Sequence, residues 1–232
     1  QYASSLLSMQ ASKYYMTEFS GEWAHEVNMT EQELSFGKKM VDTKLGSRAG
    51  MLCSPFFLVS LNDKAKENSG DVLFGTLAWT GNFRFTFEVD NHNKLRILSG
   101  INPYASEYTL KPGEVFATPE FIFTYSTEGK GKASRDFHSW ARKYQLKDGE
   151  GSRMSLLNNW EATYFDFDET KLGNLFKEAK HLGVDMFLLD DGWFGTKYPR
   201  NSDTQGLGDW TEIKEKLPNG IGHLVKEANA QG

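Results

Sequence analysis

The sequence predicts two architectures in tandem: an all-β half, sheet packed on sheet, over residues 1–147, and a β-α-β half over residues 148–232. Three observations carry this. Residues 83–90 alternate with a period of two, placing Phe83, Phe85, Phe87 and Val89 on one face and Arg84, Thr86, Glu88 and Asp90 on the other. Leu172, Leu175, Phe176, Ala179 and Leu182 recur at spacings of three and four, the stripe of an amphipathic helix. Between these patterns the charged run 148–153, broken by Gly149 and Gly151, reads as a linker.

In the first half, residues 71–77 and 83–89 are predicted strands, with Thr80-Gly81-Asn82 as a tight connection. A third strand is expected over 94–99, before Gly100. Lys111-Pro112-Gly113-Glu114 has turn chemistry, and a strand resumes over 121–125. Half-buried strands of this kind form antiparallel sheets that stack on one another. Phe137, Trp140, Ala141 and Tyr144 fall at helical spacing and predict a helix over 133–144.

In the second half, the run Ala162-Thr163-Tyr164-Phe165 reads as a buried strand. Asp168 suits the N-cap of the helix that follows, Gly173 weakens that helix slightly and Gly183 stops it. The next strand is expected over 184–189, and the intervening helix is long enough for a right-handed parallel crossover. Another helix is expected over 221–230, with room for a further strand from 231. Two parallel strands neither close a barrel nor complete a doubly wound sheet. A folded product is therefore expected to need more chain than this. The N-terminus, Gln1-Tyr2-Ala3-Ser4-Ser5, has no initiator Met and no signal-peptide pattern, so the first residues of the gene product are expected to be missing.

Composition narrows the function classes. A net charge of -5 provides no positive field for nucleic acid or an anionic membrane. No run of 18 apolar residues is present to span a bilayer. Aromatic residues make up 14% of the chain; most suit a β-rich core, and some Trp side chains suit stacking on sugar faces. Cys53 is the only cysteine, so there is no internal disulfide, no zinc spacing and no constraint on redox compartment.

The residues with chemical potential cluster at 190–195. Asp190 and Asp191 follow Phe187-Leu188-Leu189, where a buried parallel strand opens into its loop. That is the end at which ligands bind in α/β proteins. Adjacent carboxylates there can bind a metal, act as acid and base, accept hydroxyl hydrogen bonds, or order the loop. Gly192-Trp193-Phe194-Gly195 follows directly and suits a polyol ring, with carboxylates on its hydroxyls and Trp over its apolar face. No histidine lies near Asp190 in sequence, which weakens the metal reading. Neighbouring side chains on a strand diverge, whereas a glycosidase acid/base pair flanks the bond from separate elements.

Asn158-Asn159-Trp160 can reach the pocket rim or wall, with core packing as the alternative for Trp160. Glu161 suits either a buried ion pair or a ligand contact. Asp209-Trp210 reads as a helix start after the turn Gly206-Leu207-Gly208, and Asn219 as a cap for the last helix. One amphipathic helix accounts for Arg135, Asp136 and His138 better than a triad does. There is no phosphate-binding glycine loop and no Gly-x-Ser-x-Gly elbow.

Two segments are especially distinctive: Asn158-Asn159-Trp160-Glu161-Ala162-Thr163-Tyr164-Phe165-Asp166-Phe167 and Leu188-Leu189-Asp190-Asp191-Gly192-Trp193-Phe194-Gly195. With Gly206-Leu207-Gly208-Asp209-Trp210, Leu217-Pro218-Asn219-Gly220, Trp79-Thr80-Gly81-Asn82-Phe83, Gly100-Ile101-Asn102-Pro103 and Thr118-Pro119-Glu120, they run through nearly the whole chain in order. In these the chain resembles the family 36 glycoside hydrolases, whose best-known members are microbial α-galactosidases. One departure lies at Arg48-Ala49-Gly50-Met51-Leu52-Cys53-Ser54-Pro55, where the family often carries a serine-histidine run. It bears on subgroup more than on reaction class.

The resemblance implies a β-supersandwich whose C-terminal part is residues 1–147, then a (β/α)8 TIM barrel whose N-terminal part is residues 148–232. It implies that Asp190 and Asp191 bind hydroxyls of the nonreducing galactose, chiefly those at positions 4 and 6, and that Trp160 lines the same pocket; Trp193 joins them as a substrate-binding candidate on residue type alone. It also implies a retaining mechanism with an aspartate nucleophile in a later Lys-Trp-Asp motif and a later aspartate acid/base. Neither motif occurs here, so no catalytic residue is assigned to this chain, which alone is expected to be inactive. The expected parent is an α-galactosidase acting on melibiose- or raffinose-type oligosaccharides, a homo-oligomer needing neither cofactor nor metal. α-N-acetylgalactosaminidase, galactosyl transfer and a non-catalytic sugar-binding protein are the alternatives.

Overall fold

A computed structural model describes residues 4–46 and 50–232. Arg48 and Ala49, where the sequence departs from the family pattern, lie outside the described residues, as do Gln1, Tyr2 and Ala3. The chain divides into two compact units that meet between Glu150 and Gly151.

The first unit is a sandwich of two antiparallel sheets. Its strands are β1 (Ser4–Gln10), β2 (Tyr14–Glu22), β3 (His25–Leu34), β4 (Gly37–Asp42), β5 (Cys53–Leu61), β6 (Asp71–Leu77), β7 (Phe83–Val89), β8 (Lys94–Ile101) and β9 (Phe121–Ser126). Among the described residues one sheet runs β1-β8-β7-β4 and the other β3-β2-β5-β6-β9. The expected alternation holds along β7: Phe83, Phe85, Phe87 and Val89 are all buried. Phe57 of β5 meets Phe85 and Phe87 edge-on, with centroids 5.1 and 4.8 Å apart. Aromatic edge-to-face contacts thus join the two inner faces. The connection 80–82 carries the chain from one sheet to the other, since β6 pairs with β5 and β9 while β7 pairs with β4 and β8.

Helix α1 (Gly129–Tyr144) starts four residues before the periodicity suggests. Its first amide groups are satisfied by backbone carbonyls of an upstream loop: Gly129 donates to Gly70, Lys130 to Lys66 and Gly131 to Glu67. Backbone capping of this kind leaves no side-chain signature. Phe137 then packs on Phe74 with centroids 4.4 Å apart, on the outer face of the five-stranded sheet. Tyr144, at the end of the predicted stripe, is exposed.

The second unit contains β10 (Leu156–Asn158), a single helical turn α2 (Trp160–Thr163), α3 (Glu169–His181), β11 (Met186–Leu188) and α4 (Ile221–Gln231). β10 and β11 pair in parallel, Leu156 with Met186, Leu157 with Phe187 and Asn158 with Leu188. They form no closed barrel among the described residues.

Several details differ from the sequence reading. The strand expected over 162–165 lies earlier, at β10. Asn158 Oδ1 accepts from the Trp160 amide at 2.8 Å, and the Ala162 and Thr163 amides both donate to the Asn159 carbonyl at 3.0 Å. These bonds turn the chain into α2 before the apolar run begins. β11 is also shorter than 184–189, because Asp185 binds the Ser155 amide through its side chain at 2.8 Å instead of extending the strand.

Asp168 caps α3, accepting from the Lys171 amide at 2.8 Å. Leu172, Phe176 and Ala179 are buried, and Leu172 and Phe176 pack with Leu217 and Leu224. Leu182, placed on that stripe by spacing, is exposed beyond the end of the helix. No helix starts at Asp209-Trp210. The cap of α4 is not Asn219, which donates to Glu169 at 2.8 Å; Glu212 accepts from the Ile221 amide instead, also at 2.8 Å.

Phe57 carries the contact between the sheets, so Phe57→Ala should lower stability by about 3–5 kcal/mol. The shift of the urea unfolding midpoint, followed by the tyrosine and tryptophan signals, measures this.

Candidate functional site

The parallel ladder brings two strand ends side by side, and asparagines stitch them together. The Asn159 amide donates to the Leu188 carbonyl at 3.3 Å. The Asp190 amide donates to Asn159 Oδ1 at 2.8 Å. Asn158 Nδ2 donates to Asp190 Oδ2 at 2.5 Å. Asn159 is buried, so its side chain is fully committed to backbone and neighbour.

Asp190, Asp191 and Trp193 converge on one hollow of about 420 Å³, also lined by Leu188, Leu189, Phe194, Leu207 and Trp210. The Asp191 amide donates to Asp190 Oδ1, and the Gly192 amide to Asp191 Oδ1, each at 2.7 Å. Trp193 is half-buried, and Phe194 beneath the hollow packs on both Trp193 and Trp210, with centroids 5.1 and 4.5 Å apart. Trp160 does not line this hollow. It stands edge-on to Phe165 at 4.9 Å and to Tyr164 at 5.3 Å. Asn158 is the link between them, holding the Trp160 amide with its oxygen and Asp190 with its nitrogen. Glu161 is exposed and accepts from the Tyr164 hydroxyl, so it makes no buried ion pair.

Sequence reasoning missed two residues here. Arg200 is buried, and its Nε lies 3.0 Å from both oxygens of Asp191, with Nη2 2.6 Å from Oδ2. Its Nη1 donates to the Ser202 and Gln205 carbonyls at 2.6 and 2.7 Å. Gly195 and Gly206, at φ +99° and +79°, flank it closely. A Cβ on Gly206 would sit 2.8 Å from Arg200 Cα, and one on Gly195 2.6 Å from the Tyr198 carbonyl. The second is Lys216, whose ammonium donates to the Phe165 and Gly192 carbonyls at 2.8 and 2.9 Å. It ties the loop after β10 to the loop after β11. A signal for Arg200 was available: two adjacent carboxylates at a buried strand end need a cation, and Arg200 is the only arginine between 192 and 209.

Hydrogen bonds from Arg200 hold the Asp191 carboxyl below its usual range; burial opposes this and the Gly192 amide adds to it. Burial pushes the Lys216 ammonium down, against the pull of Asp166 and Asp191. The arrangement is a fixed pair of carboxyl acceptors beside an aromatic wall, chemically suited to hydroxyl groups on an apolar ring.

Comparison with known proteins gives the same direction. The Melibiase family model matches residues 115–232, and that of the glycosyl hydrolase family 36 N-terminal domain matches residues 1–111. The chain belongs to glycoside hydrolase family 36. Among its relatives, alpha-galactosidase Mel36A of Lactobacillus acidophilus is 38% identical over 91% of this chain and 29% of its own length. Alpha-galactosidase C of Emericella nidulans is 36% identical over 91% of this chain and 28% of its own. The crystal structure of the family 36 α-galactosidase AgaA from Geobacillus stearothermophilus superposes with a TM-score of 0.89 at 34% identity, over 98% of this chain and 31% of that one. Variants of AgaA have been crystallised with raffinose and with stachyose. The chain therefore spans about three-tenths of the length of the relatives it matches. Among the described residues, no helix is long and apolar enough to cross a membrane.

A carboxylate whose pKa is depressed on folding stabilises the fold above its unfolded pKa, and that stability is lost as pH falls through the folded value. Asp191 is of this kind, as are Asp166, Asp185, Asp209 and Glu212. Calorimetry across a pH series should show these groups' contribution intact down to about pH 5 and declining below about pH 4. Asp191→Asn should make that acid decline shallower; an unchanged slope would show that Asp191 contributes nothing to it.

Proposed function

We propose that the whole protein is a retaining α-galactosidase hydrolysing terminal α-D-galactosyl residues of melibiose- or raffinose-type oligosaccharides. The observation that carries this reading is the carboxylate pair Asp190–Asp191 at a parallel strand end, facing a hollow walled by Trp193 and Trp210. The activity named for the relatives supports it, as does the raffinose held by an AgaA variant. In this reading residues 1–147 are the C-terminal part of a β-supersandwich and residues 148–232 the first βα units of a (β/α)8 barrel. The whole enzyme acts as a homo-oligomer.

Asp190 and Asp191 accept hydrogen bonds from hydroxyls of the nonreducing galactose, and Trp193 covers the apolar face of the ring. Trp160 stands outside the hollow itself and is proposed to bound the larger sugar pocket from the β10 side, linked to Asp190 through Asn158. The roles of nucleophile and acid/base belong to aspartates outside this chain. Asp190 and Asp191 are not cast in them, because adjacent side chains cannot flank a glycosidic bond from opposite sides.

The test is turnover of p-nitrophenyl α-galactoside by the whole protein. Asp191→Asn should lower it by at least about 100-fold, because a buried sugar hydroxyl loses a charge-assisted partner. Near-full activity in the variant would remove Asp191 from the site. A wild-type protein that binds galactose without turnover would be a sugar-binding protein instead.

A further inference from the structure

We propose that Arg200 is the positioning residue of the sugar site, clamping Asp191 in one orientation while its own loop is wrapped around the same guanidinium. The inference rests on the α-galactosidase reading and adds a residue that acts through Asp191 rather than on the sugar.

The geometry is that of a fork. Nε and Nη2 face the Asp191 carboxylate at 2.6–3.0 Å, which fixes the carboxylate plane as well as its distance. The opposite edge, Nη1, is held by the Ser202 and Gln205 carbonyls. The ring of Phe165, in the loop after β10, lies 5.6 Å from the guanidinium carbon. One buried side chain therefore couples three segments: the end of β11, the loop over 196–206 and the loop after β10. No neighbouring cation can substitute. Lys216 is engaged by the Phe165 and Gly192 carbonyls, and Lys197 is exposed.

The charged groups around Asp191 set the expected pH behaviour. Arg200 faces it directly, and Lys216 adds a weaker pull. Asp190 is its neighbour in the chain, and Asp203 lies beyond Arg200, 3.7 Å from Nη2. Without Arg200, Asp191 keeps an acidic neighbour and loses its main cation. It then takes up a proton at higher pH, and the acid limb of kcat/KM moves upward.

The experiment uses the whole protein and p-nitrophenyl α-galactoside. Arg200→Ala should lose roughly 10- to 100-fold in kcat/KM, the range for a hydrogen bond to a charged group. Its acid limb should move up in pH, and millimolar guanidinium should restore part of the activity. The same guanidinium should not rescue Asp191→Asn. Arg200→Lys keeps the charge without the fork and should fall between wild type and Arg200→Ala; it decides the matter by its pH profile if the alanine variant does not fold. Wild-type kinetics in Arg200→Ala overturn the inference. So does a loss in both variants with an unmoved acid limb and no rescue, which is the result of a merely structural role. A wild-type protein without turnover overturns the galactosidase reading itself, and the inference with it.

Discussion

The polar side chains at the candidate site's two strand ends take their position from a ladder only three residues long. β10 and β11 pair in parallel over 156–158 and 186–188, and Asn158, Asn159, Asp190 and Asp191 emerge from their ends together. A one-residue slip would turn Phe187 away from Phe176, whose ring it meets at 4.8 Å, and would carry Asn158 away from Asp190. So short a pairing cannot hold its own register. The helix α3 between the strands supplies it, by packing Leu172 and Phe176 beneath and ending where Gly183 releases the chain. Fold and site are therefore one constraint seen at two scales.

Electrostatics then decides what the strand ends can carry. Two half-buried carboxylates side by side repel each other and lose hydration, so they persist only where cations and amide donors answer them. Arg200 answers Asp191, Asn158 answers Asp190, and the amides of 191 and 192 turn back onto the carboxylates that precede them. Arg200 has the reciprocal need, being a buried cation whose main carboxylate partner is Asp191. The loop over 196–206 is thus organised by the group that it serves.

The parts of the fold legible in the sequence were those with a long, uninterrupted period. β6 and β7 fall where alternation puts them, and α3 has its cap at Asp168. The carboxylate and tryptophan cluster was legible from residue type and from its place after an apolar run. What the sequence hid was whatever depends on a partner far along the chain. The start of α1 is set by carbonyls at 66–70, the cap of α4 by Glu212, and the early end of β10 by asparagine side chains binding nearby backbone. Arg200 is a partial case: the run Pro199-Arg200-Asn201 by itself does not tell a buried clamp from a solvated loop residue, and only the need of the carboxylate pair for a cation points to it. The crossing of the chain between sheets at 80–82 also left no trace, since the same turn residues serve a hairpin.

The close packing of Gly195 and Gly206 against the backbone around Arg200 bears on how this region tolerates change. Neither glycine has a side chain to offer a sugar, yet a single added methyl at either would press on the segment that aims the guanidinium. In a saturation library over 190–210 such positions should therefore score as damaging alongside the carboxylates. Sensitivity to substitution here marks out a mechanical linkage, and only a subset of the sensitive positions is chemistry.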